Sequence, residues 1–350
     1  MRVVFFVQGQ VVPAARARGF AVVKALQSAG VHCEVRVPNP SVYGDTRLPF
    51  PFNRARPLYV PLAALSRYRH VRALGADDIV FFQRPMLELP TLALERLAAR
   101  GRRCVFDFDD AIFHNWATSN KFQELIALSD HVIAGNRNLA AAAAAPAKTT
   151  IIPTTVDTDR YHPLPARDTR GRDVVVGWTG MSVNYHQLAH AAAGLSRALA
   201  KTGAKLLVIS DRPPPAALAA LRPTFVRWKA ETEIEDLAAI DVGVMPLPDN
   251  PYERGKCAYK LIQYMALGRP GVASPVGANN DVVTPGKDGF LPASDDEWEQ
   301  SIVNLVENPT LRAEMGQRAR ARVEEGYSLQ AVVPRYLDVL RSVGWSAVNP

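Results

Sequence analysis

Cysteine is scarce in this chain: Cys33, Cys104 and Cys257 are three in 350 residues, far apart and odd in number. That excludes a disulfide framework and a zinc site built on paired cysteines, and it fits a reducing compartment. Long hydrophobic runs are missing as well. No apolar stretch approaches the ~20 residues of a membrane span. The opening MRVVFFVQGQ lacks the extended apolar core of a secretory signal. The basic residues lack interleaved aromatic platforms and a recognised binding module, so nucleic acid is not an expected partner despite a formal charge of +7. These absences leave a soluble, cytoplasmic protein as the expectation.

What is present is length and apolar content. At 350 residues and 48% hydrophobic composition, the chain is long enough for two domains of about 150 residues, each with its own core. The charge is unevenly spread. Residues 1–150 hold 19 Lys and Arg against 11 Asp and Glu, whereas residues 151–350 hold 22 against 23. Much of the basic excess lies in Pro61–Gly75, where Leu62, Leu65, Val71 and Leu74 alternate with Arg67, Arg69 and Arg72, and in Arg96, Arg100, Arg102 and Arg103. Such a stretch is either a surface helix with its apolar face in the core or a basic amphipathic helix able to lie on anionic lipid.

Runs of buried-strand character recur, each followed by a helical pattern: Val3–Val7, Cys33–Val37, Ile79–Gln83, Cys104–Phe108, His131–Gly135 and Thr150–Pro153. A polar, proline-bearing stretch interrupts them. They resume at Val174–Trp178, Lys205–Ile209, Phe225–Trp228, Val242–Pro246 and Gly271–Ser274. Strand alternating with helix argues for parallel, doubly wound sheets. The α/β reading gives a first domain over 1–153, a linker over 154–172, a second domain over 173–330 and a terminal helix over 331–350. A cleft between two such domains is the default ligand site. The alanine tract Leu139–Ala147 reads as helix, because alanine has the best helix propensity, and further amphipathic helices are expected over Asp296–Arg320 and Ser328–Val343.

Glu253–Leu291 is the densest segment. Gly255 precedes a helical run (Ala258, Leu261, Ile262, Met265, Ala266) that Gly268 and Pro270 close. Lys256 and Lys260 fall near its first turn, where lysine opposes the helix dipole, so the pair is either solvated or faces a phosphate. A short strand, Gly271–Ser274, then leads to Gly277, which allows close backbone approach before a second helix near Asn279. Ligands bind at the carboxyl ends of strands in units of this kind.

Three stretches carry a resemblance to a known family: Leu128–Asn136 (LSDHVIAGN), Ile152–Pro163 (IPTTVDTDRYHP), and KLIQYMALGRPGVASPVGANNDVV with its downstream GKDGFL. In this order and at these separations the chain resembles a family-4 (group 1) glycosyltransferase of the GT-B fold, over nearly its whole length. The resemblance implies two Rossmann-like domains facing across a cleft. It also implies transfer of a sugar from a UDP- or GDP-linked donor with retention of configuration, no cofactor and no bound metal.

The chain departs from the family pattern at named positions. The family's pair of glutamates about eight residues apart falls on Gly255 and Gln263, with Glu253 two residues upstream of the first. The basic pair after the second domain's first strand is absent from Gly177–Asn184, leaving Lys256 and Lys260 to neutralise the pyrophosphate. Donor contacts are thus expected at Thr179, Gly180, Glu253, Lys256, Lys260, Gln263, Ser274 and Gly277. In the first domain the family's His-Asp pair falls on Asp109 and Asp110, with His114 as a further candidate. Asp107, Asp109 and Asp110 repel one another, an arrangement that favours a functional role over a plain turn. Gly9, Arg16 and Arg18 follow the first strand as candidates for an acceptor or phosphate, a solvated helix start being the other reading.

A sugar diphosphate ester needs charge compensation at its leaving group and placement of the acceptor hydroxyl. The lysine helix start is assigned the first need and the Asp109 region the second. Closure about the linker would exclude water. The expected acceptor is a glycan or lipid-linked molecule of envelope or exopolysaccharide synthesis, at an anionic membrane face if the basic half docks there. Two other readings remain. Asp107-Phe108-Asp109 can be taken as a metal-holding Asp-x-Asp motif of a metal-dependent sugar transferase. The missing glutamate and basic pair also suit a catalytically weak, membrane-associated nucleotide-sugar-binding protein.

Overall fold

The computed structural model describes residues 1–41, 56–89, 91–114, 119–164 and 173–346. The chain divides into two compact units, Met1–Thr154 with Val332–Pro350, and Thr155–Ala331. Residues 165–172 of the expected linker lie outside the described residues.

The first unit runs β1 (Val3–Phe6), a π-helical turn (Ala15–Phe20), α1 (Ala21–Ser28), β2 (Cys33–Arg36), α2 (Arg56–Arg72), β3 (Ile79–Gln83), α3 (Ala93–Ala99), β4 (Cys104–Phe108), α4 (Ser119–Leu128), β5 (His131–Ala134), α5 (Arg137–Ala143) and β6 (Thr149–Ile151). The strands form one parallel sheet in the order β2-β1-β3-β4-β5-β6. Strands buried on both faces read as continuous apolar runs, and Val3–Phe6 and Ile79–Gln83 are buried throughout. Phe5 stacks on Phe81 with ring centroids 4.0 Å apart, one of the aromatic contacts that fill this core. The alanine helix stops at Ala143 because Ala144 turns left-handed, at φ 52°.

The second unit runs β7 (Val175–Thr179), α6 (Tyr185–His190), α7 (Ala192–Thr202), β8 (Lys205–Ser210), β9 (Thr224–Arg227), α8 (Glu233–Ala238), β10 (Val242–Met245), α9 (Pro251–Arg254), α10 (Tyr259–Ala266), β11 (Gly271–Ala273), α11 (Asn279–Val282), β12 (Gly289–Phe290), α12 (Asp295–Glu307) and α13 (Pro309–Gly326). Its sheet is also parallel, in the order β12-β11-β10-β7-β8-β9. The last helix, α14 (Leu329–Ser342), begins in this unit and continues into the first.

Two corrections concern helices. The single helix expected over Asp296–Arg320 is two, because Asn308 caps a new start, accepting from Leu311 N–H at 3.0 Å, and Pro309 at the first helical position has no N–H to continue the old one. The helix expected after Gly255 begins only at Tyr259. Asn250 and Pro251 start the separate four-residue α9, and Ala258 breaks the path with a left-handed φ of 55°. The expected apolar face is correct: Ala258, Leu261, Ile262, Met265 and Ala266 are all buried. The early part of the expected linker packs as core, with Tyr161 buried and its hydroxyl donating to Glu233 Oε2 at 2.8 Å.

Candidate functional site

In an open parallel sheet, ligands meet the carboxyl ends of the strands where the strand order reverses. In the first sheet that point lies between β1 and β3, and in the second between β7 and β10. The residues expected to act cluster at these ends. A surface hollow of about 470 Å³ lined by Asp77, Asp78, Arg102 and Arg103 opens at the amino ends of β3 and β4 instead.

At the first switch point the loop after β3 is held rigidly. Gln8 Nε2 donates to Pro85 O at 3.2 Å, Arg67 Nε to Met86 O at 3.4 Å, and Lys121 Nζ to Leu87 O at 2.9 Å, while Glu95 Oε1 accepts from Met86 N–H at 3.0 Å. All four side chains are buried. Buried polar groups spent on one loop's backbone fix its path. The loop begins with Arg84, whose φ of 65° lies in the left-handed region that non-glycine residues seldom adopt. Its guanidinium reaches Asp109 Oδ1 from Nε at 2.8 Å and from Nη2 at 2.7 Å, and Asp110 Oδ2 lies 3.7 Å away. Asp109 is nine-tenths buried, and Oδ2 takes no hydrogen bond from a described residue. The pair therefore presents one oriented acceptor oxygen. His114 is exposed at the end of a 3-10 turn, against Phe113.

Arg18 is a correction. Expected at an acceptor or phosphate, it is 1% exposed, and its guanidinium is bound by both oxygens of the fully buried Asp107 and by Ile152 O. The π-helical turn points this side chain inward, and nothing of its charge is left for a ligand. Burial pushes the Asp107 carboxyl up, against the opposing pull of Arg18. The two carboxylates of Asp107-Phe108-Asp109 are held by different arginines, Asp107 by Arg18 and Asp109 by Arg84. Arg16 stays partly exposed, and a Cβ on Gly9 would come within 2.5 Å of Ser41 Oγ, so the glycine lets these two loops touch.

At the second switch point Lys260 occupies the first turn of α10. Its ammonium rests 4.5 Å above the Trp178 ring and donates to Gln187 Oε1 at 2.8 Å. Burial first, and Lys256 second, push it down to about 7. Lys256 lies in the loop ahead of the helix, 4.5 Å over the Tyr252 ring. Gly180 makes room for this stack: a Cβ there would meet Trp178 at 2.8 Å and Lys260 Cε at 2.9 Å. Thr179 N–H donates to Tyr264 Oη at 2.8 Å. The loop after β7 is fastened by Asp211, which accepts from Ser182 N–H at 2.6 Å and from its hydroxyl at 3.1 Å. Burial opposes the Asp211 charge, but these bonds hold its carboxyl below the usual range.

Three expected donor contacts prove internal. Glu253 is 1% exposed, with Oε1 2.9 Å from His186 Nε2 and Oε2 accepting from Gln187 Nε2 at 2.9 Å; its helix start turns it inward onto α6. Ser274 Oγ accepts from Leu247 N–H at 2.9 Å. At Gly277, with φ of 56°, a Cβ would lie 2.7 Å from Arg254 O, so the close approach is by the chain's own backbone. Gln263 is buried and donates from Nε2 to Tyr161 Oη at 3.1 Å, leaving Oε1 without a bond from a described residue. Sequence reasoning missed His186, Gln187, Asp211 and Arg84. Only the arginine directly after a strand could have hinted at the last.

Comparison with known proteins places this geometry. Residues 173–308, within the second unit, match the family model Glycosyl transferases group 1. Over 84 residues the chain is 31% identical to trehalose synthase of Pyrococcus horikoshii, covering 24% of this chain and 20% of that protein. Over 119 residues it is 28% identical to the GDP-mannose-dependent monoacylated alpha-(1-6)-phosphatidylinositol monomannoside mannosyltransferase of Corynebacterium glutamicum, covering 33% and 31%. The chain thus spans between a fifth and a third of the length of the curated relatives it matches. The fold matches at full length. HepE of Anabaena, crystallised with UDP-glucose, superposes with a TM-score of 0.68 at 16% identity, over 98% of this chain and 100% of that one. A glycosyltransferase from Rickettsia africae gives 0.68 at 13% identity over 99% of each. The architecture is GT-B.

Proposed function

We propose that the chain is a retaining glycosyltransferase that moves a sugar from a UDP- or GDP-linked donor to a lipid-linked or polysaccharide acceptor, without a bound metal. The observation that carries this reading is Lys260, held on Trp178 at the start of α10 inside the domain that matches the group 1 family. The amides of a helix start and two lysines compensate the negative charge that grows on a departing diphosphate. Gln263 Oε1 is assigned to a ribose hydroxyl. In the first unit, Asp109 Oδ2 accepts from a sugar hydroxyl while Arg84 holds its other oxygen, and Arg16 is assigned to an anionic group. Relatives crystallised with UDP or named for GDP-mannose support both donor classes. Calorimetry against a panel of UDP- and GDP-sugars tests the reading, and absence of binding by every donor would overturn it. Activity retained in EDTA and an unchanged anomeric configuration in the product, read by NMR, check the remaining two terms.

The membrane partner has its own support, although no helix among the described residues is long and apolar enough to cross a bilayer. In α2 the face formed by Tyr59, Ala63, Arg67 and Val71 is buried, whereas Leu62, Leu65 and Tyr68 are exposed beside Arg69 and Arg72. The expected apolar face is thus split, because Arg67 turns inward to bond strand-end carbonyls. Exposed leucines beside arginines suit a peripheral site on anionic lipid at the inner membrane face. Co-sedimentation with phosphatidylglycerol vesicles, lost in Leu62→Glu/Leu65→Glu, is the expected result.

A further inference from the structure

Lys260 is treated unlike Arg18 and Lys121. Arg18 faces Asp107, and Lys121 lies 3.7 Å from Glu95. Lys260, half-buried, bonds a neutral amide oxygen, and no carboxylate lies within ion-pair distance of it among the described residues. Two charged groups face it: Lys256 comes from the preceding loop and repels it, and Glu253 comes from α9, where the His186 ring of α6 meets it. Both Glu253 oxygens are already engaged, one with His186 and one with Gln187, so its charge is directed into the network and away from the ammonium. Gln187 is fully buried and bridges the two, giving Nε2 to Glu253 and Oε1 to Lys260. Trp178 contributes cation–π attraction but no countercharge.

We propose that Lys260 takes up a proton from solvent when a nucleotide-sugar diphosphate binds, with Gln187 and Glu253 as its positioning residues, so that the ligand supplies the countercharge that the protein withholds. This rests on the donor-site reading above. In the free protein, burial first and Lys256 second push Lys260 down to about 7, which leaves a neutral fraction able to gain a proton. A diphosphate beside the ammonium favours the charged form, so binding carries proton uptake, and by linkage affinity falls as pH rises. Full protonation in the complex gives an uptake of about 0.5 proton at pH 7 and about 0.9 at pH 8, and a roughly fivefold weaker apparent affinity at pH 8 than at pH 7.

The test is isothermal calorimetry of the whole chain with UDP-glucose and with GDP-mannose, each in buffers of different ionisation enthalpy. Both are diphosphate diesters with no proton of their own to gain or lose near neutrality. Uptake that grows from pH 7 to pH 8 is expected in the wild type. It should vanish in Lys260→Arg, which keeps its charge at every relevant pH. His186→Gln should retain it. Binding without uptake overturns the inference and leaves the donor site standing. Absence of binding by either donor overturns the donor site itself. Competitive acetylation of the free protein, mapped at Lys260 by mass spectrometry, gives a ligand-free decision: a midpoint near neutrality supports the inference, and one near the ordinary lysine value overturns it.

Discussion

At the carboxyl end of the first sheet, Arg18 and Arg67 are buried and spend their guanidinium groups on Asp107 and on backbone carbonyls of Val7, Arg36 and Met86. At the same end of the second sheet, Lys260 stays half-buried against an indole and an amide. Guanidinium groups with five fixed donors can knit several strand ends together, whereas a desolvated ammonium without a carboxylate is a site that gains by meeting an anion. One set of cations builds the frame and the other is kept for a ligand. Position near a strand end therefore does not by itself mark a binding residue; what decides is whether the cation's donors are already spent on several fixed acceptors.

The comparison breaks most visibly at Asp107. Asp107→Asn leaves Arg18 buried without its anion and should lower stability by about 3–5 kcal/mol, whereas Arg18→Met/Asp107→Leu should recover most of it, both read from urea unfolding. A single variant costing under 1 kcal/mol would mean that Arg18 is not part of the frame. Next in size, Arg84→Ala frees Asp109 from its doubly held orientation. Turnover should drop about 10²-fold with donor affinity unchanged. An effect confined to donor KM would move Arg84 to the other substrate.

Gly277→Ala forces a Cβ into the left-handed region and against the Arg254 backbone, and should destabilise by roughly 1–2 kcal/mol; melting of the variant checks it. Lys260→Met sharpens the comparison from the other side. The folded-state value of Lys260 lies below the unfolded one, so the unfolded chain binds more protons between about 7 and the ordinary lysine value. The penalty on folding is therefore present in full below pH 7 and disappears as pH rises through that window. Lys260→Met should melt higher than wild type at pH 7, lose the advantage in alkaline buffer, and bind donor more weakly. A lower melting temperature at pH 7 would count against an uncompensated lysine.

Much of the frame was legible. The eleven expected strands all form within a residue or two of their limits, because parallel strands covered on both faces are written as short apolar runs. The two-residue β12 has too few positions to show a period. The break at Asn308–Pro309 carries an N-cap and a proline that could have been read as a helix start. The candidate sites were legible by segment and not by side chain. The Glu253–Leu291 segment does form the α10 start, yet Glu253 and Ser274 face inward and Gly277 serves chain packing, since a helix four residues long can turn either face to the core.

The alternation of strand and helix, the basic first half, the glycine and lysine positions around α10 and the family resemblance all follow from the order of residues, since they depend on local periodicity and composition. Tertiary structure alone decided which charges are matched. Arg18 meets Asp107 across 89 positions and Lys260 meets Gln187 across 73, and desolvation acts on a side chain only once distant segments have packed around it. The left-handed turn at Arg84 is likewise held by Gln8, Arg67, Glu95 and Lys121, from four separate stretches of the chain that only folding brings to one loop.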